Sequence, residues 1–182
     1  MINLRRNYIE GGTYFFTVVT GNRAQFLTKS FSRKYLRQAF NRVRKNYPFN
    51  IVAMVLLPDH LHCILELPDK DSDFSTRWRL IKKHYSQMVK PHLQMTCKLT
   101  DSKVKKQESG VWQRRFWEHA ICDENDLQNH FDYIHFNPLK HGLVDKIENW
   151  QWSTYHKYLK MGYYDESTAA FDFDMHPDVG KE

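Results

Sequence analysis

The sequence predicts an α+β fold of the ferredoxin-like, split βαβ kind: a four-stranded antiparallel sheet with two helices on one face and a further helix near the other. Three observations predict it. Apolar periodicity runs in the order strand, helix, strand, strand, helix, strand. Two consecutive strand patterns are joined only by Pro58-Asp59, which specifies a tight antiparallel hairpin. Finally, 182 residues with 41% hydrophobic and 26% charged side chains suit one soluble core rather than two.

The first strand is Thr13 to Thr20 (TYFFTVVT), rich in β-branched and aromatic residues and preceded by the turn signal Gly11-Gly12. Ser30 to Asn46 follows with Leu36, Phe40 and Val43 at helical spacing and basic residues between them, ending at Tyr47-Pro48. Strands Ile51 to Leu57 and His60 to Leu67 come next, the second closed by Pro68. Phe74, Trp78, Ile81, Tyr85 and Met88 then mark a second helix, capped by Asp73 or Ser75 and stopped by Pro91. Gln94 to Gly110 is polar, lysine-rich and aperiodic, as a loop would be. Val111 to Cys122 (VWQRRFWEHAIC) fits a fourth strand, and Asp123 caps a short helix with the stripe Leu127, Phe131 and Ile134, ending near Asn137-Pro138. Leu139 to Gly162 reads as a turn and a helix. The expected organisation is one domain over residues 1–162 and an acidic tail over 163–182. In this topology the first and third strands are central, and the face away from the first two helices is open to a ligand.

Lys and Arg number 27 against 21 Asp and Glu, a net charge of +6. Aromatics form 15% of the chain and often adjoin basic residues, as in Arg5-Arg6-Asn7-Tyr8, Arg77-Trp78-Arg79 and Arg114-Arg115-Phe116-Trp117. Bases stack on aromatic faces while cations neutralise phosphates, so this pairing suits single-stranded nucleic acid; a solvated basic face on an ordinary globule has the same composition. No apolar run approaches the roughly 20 residues that cross a bilayer, and the first residues do not resemble a signal peptide, which points to a cytoplasmic protein with no membrane partner. Cys63, Cys97 and Cys122 lack CxxC spacing and are expected to be reduced and structural.

The chemistry concentrates on the third strand. Side chains alternate, so His60, His62 and Ile64 share one face while the wholly apolar set Leu61, Cys63, Leu65 and Leu67 takes the other. Two imidazoles at i and i+2 on a rigid central strand can share a divalent ion; two solvated histidines on a half-exposed strand are the plainer alternative. Cys63 points away from them. Asn137 lies four residues after Tyr133, one helical turn on, although Pro138 threatens its helical geometry and an ordinary helix cap is its simpler role.

The run LLPDHLHCILELP resembles the His-hydrophobe-His (HUH) signature of single-tyrosine nucleases, and WQRRFWEHAI followed by DYIHFNPLKHGLV resembles the second signature of the REP-associated tyrosine transposases. The likeness runs from Gly11 to about Trp152 with the motifs in order. It implies His60, His62 and Asn137 as ligands of a divalent metal, Mg²⁺ or Mn²⁺, and Tyr133 as the nucleophile. It further implies cleavage of single-stranded DNA at hairpin-forming repetitive extragenic palindromes through a 5′-phosphotyrosine intermediate, followed by strand transfer, by a monomer, with the helix-exchanged dimer of the insertion-sequence relatives as the alternative. Arg5, Arg6, Arg114 and Arg115 are candidate DNA contacts, and His130, one turn before Tyr133, is a candidate base. Lys82 and Lys83 read as a solvated face, and His119, His135 and His141 as surface or packing residues. Two rivals remain: a sheet that binds single-stranded DNA or RNA without catalysis, and a replication-initiator or relaxase nickase, against which the short chain without a helicase segment counts.

Overall fold

The computed structural model describes residues 7–93 and 110–164. Arg5, Arg6, Cys97, nearly all of the Gln94 to Gly110 segment and the tail from residue 165 lie outside the described residues. Strands β1 (Thr13–Val19), β2 (Asn50–Leu56), β3 (His60–Glu66) and β4 (Trp117–Ala120) form an antiparallel sheet in the order β2-β3-β1-β4, which puts β1 and β3 at its centre as the sequence predicts. Helices α1 (Ser30–Arg44), α2 (Phe74–Val89), α3 (Glu124–Lys140) and α4 (Tyr155–Lys160) complete it. Asp73, not Ser75, caps α2 by accepting from the Thr76 N–H.

Pleating sends Tyr14, Phe16 and Val18 of β1 and Leu61, Cys63 and Leu65 of β3 into one core with Leu36, Phe40 and Val43 of α1 and Phe74, Trp78, Ile81 and Tyr85 of α2. Each such side chain contributes about 1.5–3 kcal/mol by leaving water, so this layer fixes the register of β3. Burial raises the pKa of the Cys63 thiol well above its ordinary range, in keeping with a structural role.

The opposite face is not open. Phe15, Ala53, Val55, Leu57 and Ile64 form a second core with Phe131, Tyr133, Ile134 and Phe136 of α3, and Ile147, Tyr155 and Tyr164 close it. A β-bulge between Ile51 and Ala53 supplies part of this layer, since it shifts the alternation of β2 so that Ile51 and Met54 face the first core while Ala53 and Val55 face the second. Residues 150–154 sheathe the β2 edge through Leu56 N to Trp152 O (2.8 Å) and Thr154 N to Met54 O (2.9 Å). Packing runs on through Tyr164, which is buried and donates to Asp132.

The expected strand Val111 to Cys122 is shorter in fact. Trp112 makes only an isolated bridge to Thr20, residues 113–115 are exposed, and pairing with β1 begins at Trp117. Lys82 is no idle solvated residue: its Nζ donates to the backbone carbonyls of Gln113 (2.5 Å) and Arg114 (3.2 Å), holding the detour against α2.

Candidate functional site

His60 and His62 project from β3 into the second layer, their rings edge to face with centroids 4.9 Å apart, and both are buried. Each ring is held through Nδ1. Asp59, from the hairpin turn, lies 2.7 Å from His60 Nδ1, and Thr17, the β1 residue paired with His62, places Oγ1 2.8 Å from His62 Nδ1. Burial opposes ionisation of Asp59, but hydrogen bonds and charge from His60 and Arg23 hold its carboxyl below the ordinary range. A carboxylate there keeps the His60 proton on Nδ1 and directs the Nε2 lone pair inward, as outer-sphere carboxylates do for metal-binding histidines.

Tyr133 and Asn137 come from α3, which Asp123 caps by accepting from Asp126 N–H. The Tyr133 ring meets His62 edge to face at 5.3 Å and Phe15 at 6.0 Å, and the residue is buried. The helix does not end at Asn137-Pro138. It carries Pro138 inside its last turns and continues to Lys140, so Asn137 keeps helical geometry one turn from Tyr133. Proline lacks only its own N–H, and α3 ends within a turn through His141 N–H to Asn137 O (3.1 Å), so the disruption stays local.

Asn137 is fully buried, and neither its amide oxygen nor its amide nitrogen makes a hydrogen bond; the Nε2 atoms of His60 and His130 are also buried without one. Leaving a buried carboxamide unsatisfied costs about 1–3 kcal/mol per group, so such an arrangement asks for an occupant. Two imidazoles and a carboxamide oxygen, all neutral, are a donor set suited to a divalent cation that must keep charge and open positions.

The neighbouring residues depart from the sequence reading. His130 is tied to the start of the helix: its Nδ1 lies 2.9 Å from both the backbone and side-chain oxygens of Asp126, and its ring stacks on His119 at 4.5 Å. Burial, foremost, lowers its pKa. Tyr133 Oη instead accepts from Lys140 Nζ at 3.0 Å. His141 is no bystander either, its ring lying 5.2 Å from that of His60. Both residues sit at helical spacing from known positions, seven after Tyr133 and four after Asn137, a signal hidden by ending the helix at Pro138. His135 packs inside the second core, bonded to Thr154 and Tyr164, and burial pushes its pKa down to about 3. His119, Cys122 and Asp126 bring ligand atoms within 4.8 Å of one another, with Asp126 Oδ2 engaged by His119 Nε2 (2.8 Å) and Cys122 N–H (2.9 Å). This cluster ties β4 to the start of α3. Arg114 and Arg115 are exposed in the detour before β4, away from any regular strand.

A split βαβ sheet with a paired-histidine central strand facing a helical tyrosine is the arrangement that the resemblance to single-tyrosine nucleases implies. Comparison with known proteins makes the class specific: the family model described as Transposase IS200 like matches residues 9–137, and the chain belongs to that transposase family. A REP-associated tyrosine transposase of Escherichia coli K12 is 44% identical over 165 residues, covering 90% of this chain and 88% of its own. A Haemophilus influenzae Rd relative assigned to the same group is 38% identical over 182 residues, covering 98% and 97%. A solved structure of a REP-associated tyrosine transposase bound to a REP hairpin superposes with a TM-score of 0.77 at 42% identity, covering 94% of this chain and 93% of that one. No helix among the described residues is long and apolar enough to cross a membrane.

Proposed function

We propose that this chain is a metal-dependent single-strand DNA endonuclease and strand transferase that acts on REP hairpins through a covalent 5′-phosphotyrosine at Tyr133. The observation that carries the reading is the convergence of His60, His62 and Tyr133 in one buried layer, with the unsatisfied carboxamide of Asn137 one turn along the same helix. His60 and His62 through Nε2, and Asn137 through Oδ1, would hold Mg²⁺ or Mn²⁺. When bound, the ion supplies Lewis-acid polarisation of the scissile phosphate.

The protein's own residues do the rest. Tyr133 Oη attacks phosphorus; the Oη–P bond forms as the P–O3′ bond breaks, the phenolic proton is released, and the departing oxygen takes up a proton to become a 3′-OH. One ester replaces another, so a 3′-OH can attack the tyrosine ester and rejoin strands without a nucleotide cofactor. Asp59 and Thr17 keep both imidazoles oriented throughout. Phe15 and the second core fix the approach of the tyrosine ring. Because α3 packs on its own sheet, one chain completes the constellation, which supports a monomer as the working unit. A chain that processes chromosomal hairpins works in the cytoplasm at the nucleoid, and Arg5, Arg6, Arg114 and Arg115 are its proposed contacts to DNA phosphates.

The test is incubation of wild type, His62→Ala and Tyr133→Phe with labelled single-stranded REP-hairpin oligonucleotides and Mg²⁺ or Mn²⁺, resolved on a denaturing gel. A covalent adduct from wild type alone supports the reading. Tight binding by all three proteins with no adduct overturns it in favour of a binding protein without catalysis.

A further inference from the structure

Lys140 is the last residue of α3, two turns beyond Tyr133, and lies on the surface. Its side chain nevertheless runs back along the helix so that Nζ donates to Tyr133 Oη at 3.0 Å and stands 4.7 Å from the centre of the tyrosine ring. Tyr133 itself is only 1% exposed. An exposed residue therefore carries its ammonium to a buried hydroxyl through a part-buried hydrogen bond.

We propose that Lys140 is a second cationic element of this site: it fixes the Tyr133 hydroxyl oxygen in the resting protein and receives a non-bridging oxygen of the scissile phosphate when single-stranded DNA binds. The inference rests on Tyr133 being the nucleophile. Three features of the geometry carry it. A lysine ammonium has three donors, so it can donate to Oη and to a phosphate oxygen together. Placed against the ring and the hydroxyl at once, it restrains the tyrosine in a single orientation, which is what in-line attack on phosphorus requires. Positive charge beside the entering oxygen also opposes the charge that gathers on the phosphoryl oxygens as the P–O3′ bond breaks. The placement depends on the helix running on past Pro138, because a helix ending at Asn137 would not carry residue 140 on the tyrosine side.

The test compares wild type, Lys140→Arg and Lys140→Met in two assays with a single-stranded REP-hairpin oligonucleotide. In single-turnover adduct formation with saturating protein and Mn²⁺, Lys140→Met is expected to slow the reaction about 10²-fold and Lys140→Arg to recover most of that rate. In metal-free binding measured against salt, Lys140→Met is expected to lower the slope of log K on log salt by about one, with Lys140→Arg keeping the wild-type slope. Thermal melts within a few degrees of wild type confirm folding, as expected for an exposed helix end. A Lys140→Met protein with unchanged rate and unchanged slope overturns the proposal. If wild type forms no adduct, the nuclease reading fails by itself, and the salt slope still decides whether Lys140 takes a phosphate.

Discussion

On the α1/α2 side of the sheet Arg77 is fully buried, and its five N–H donors are all used: Nε and Nη2 to Pro48 O, Nη1 to Asp73 O, and a bidentate pair to Asp71. On the α3 side Asn137 is equally buried, and its carboxamide makes no hydrogen bond at all. On the α1/α2 side the buried polar atoms without a hydrogen bond are the indole N–H groups of Trp78 and Trp112 and, on half-buried residues, Arg33 Nε and His84 Nδ1. The difference teaches where each layer spends its stability. The first layer is closed in the sense that its fully buried polar side chains, Arg77 and Ser32, are bonded within the chain, the latter to Tyr85 Oη. The second layer holds strong donors and acceptors in reserve, and that reserve coincides with the histidine pair and the tyrosine.

The contrast breaks most visibly at Asp71. Removing it in Asp71→Ala takes the carboxylate from a buried guanidinium and leaves it the carbonyls of Pro48 and Asp73, and the expected loss is about 3 kcal/mol, read as a lower urea midpoint with an unchanged slope. Arg77→Met is expected to cost less, because Asp71 keeps 35% of its side-chain surface in water and rehydrates. A loss below about 1 kcal/mol for Asp71→Ala would show that the first layer does not depend on this pair.

Acid should separate the two layers next. His135 is held neutral by burial with a pKa of about 3, below the ordinary 6.5 of the unfolded chain. The unfolded state therefore binds the proton first: stability is complete above pH 6.5 and falls progressively as the pH drops toward 3, by about 2 kcal/mol at pH 5. His130, also lowered, acts with the same sign. Asp71 behaves otherwise. Its hydrogen bonds from Arg77 depress its pKa, so its contribution persists above the ordinary 3.8 and is lost only as the pH falls through the lower folded value. Urea midpoints between pH 7 and 4.5 should thus report the buried histidines of the α3 layer together with His84 of α2, whose pKa burial also lowers, and His135→Gln should flatten the decline. An unchanged slope in that variant would place the acid sensitivity elsewhere.

Much of this was legible in the sequence because period-two and period-3.6 patterns report burial directly. Cys63 and His62 fall on opposite faces as alternation requires, and Asp123 and Asp73 cap the helices they precede. The histidine pair was visible in the alternation of β3, whereas Tyr133 and Asn137 were singled out by the family resemblance. What escaped was set by contacts distant in sequence. Proline reads as a stop, yet Pro138 sits within α3, so Lys140 and His141 were assigned to a turn although the helix brings them to Tyr133 and His60. The supposedly open sheet face is covered because the bulge in β2 turns Ala53 and Val55 toward α3, and a bulge leaves no mark in alternation until the partner strand is known. Residues 113–115 look like strand by composition, but past the Gln113 N–H to Val19 O bond (2.9 Å) Lys82 takes the carbonyls of Gln113 and Arg114 in place of a ladder partner.

The smallest effect sharpens the comparison most, because its sign is reversed. Asn137→Leu replaces a buried carboxamide with no hydrogen bond by an apolar side chain of similar size. In an ordinary core position this removes a desolvation cost without losing a bond, so the metal-free protein is expected to gain about 1 kcal/mol, seen as a higher urea midpoint. The same substitution removes the proposed third ligand, so adduct formation with Mn²⁺ should fall at least tenfold and added Mn²⁺ should no longer raise the melting temperature. For comparison, Ile134→Ala on the same helix removes buried apolar surface only and should lose stability with or without metal. A destabilised Asn137→Leu protein would mean that the carboxamide is answered inside the fold, and the second layer would then be closed like the first.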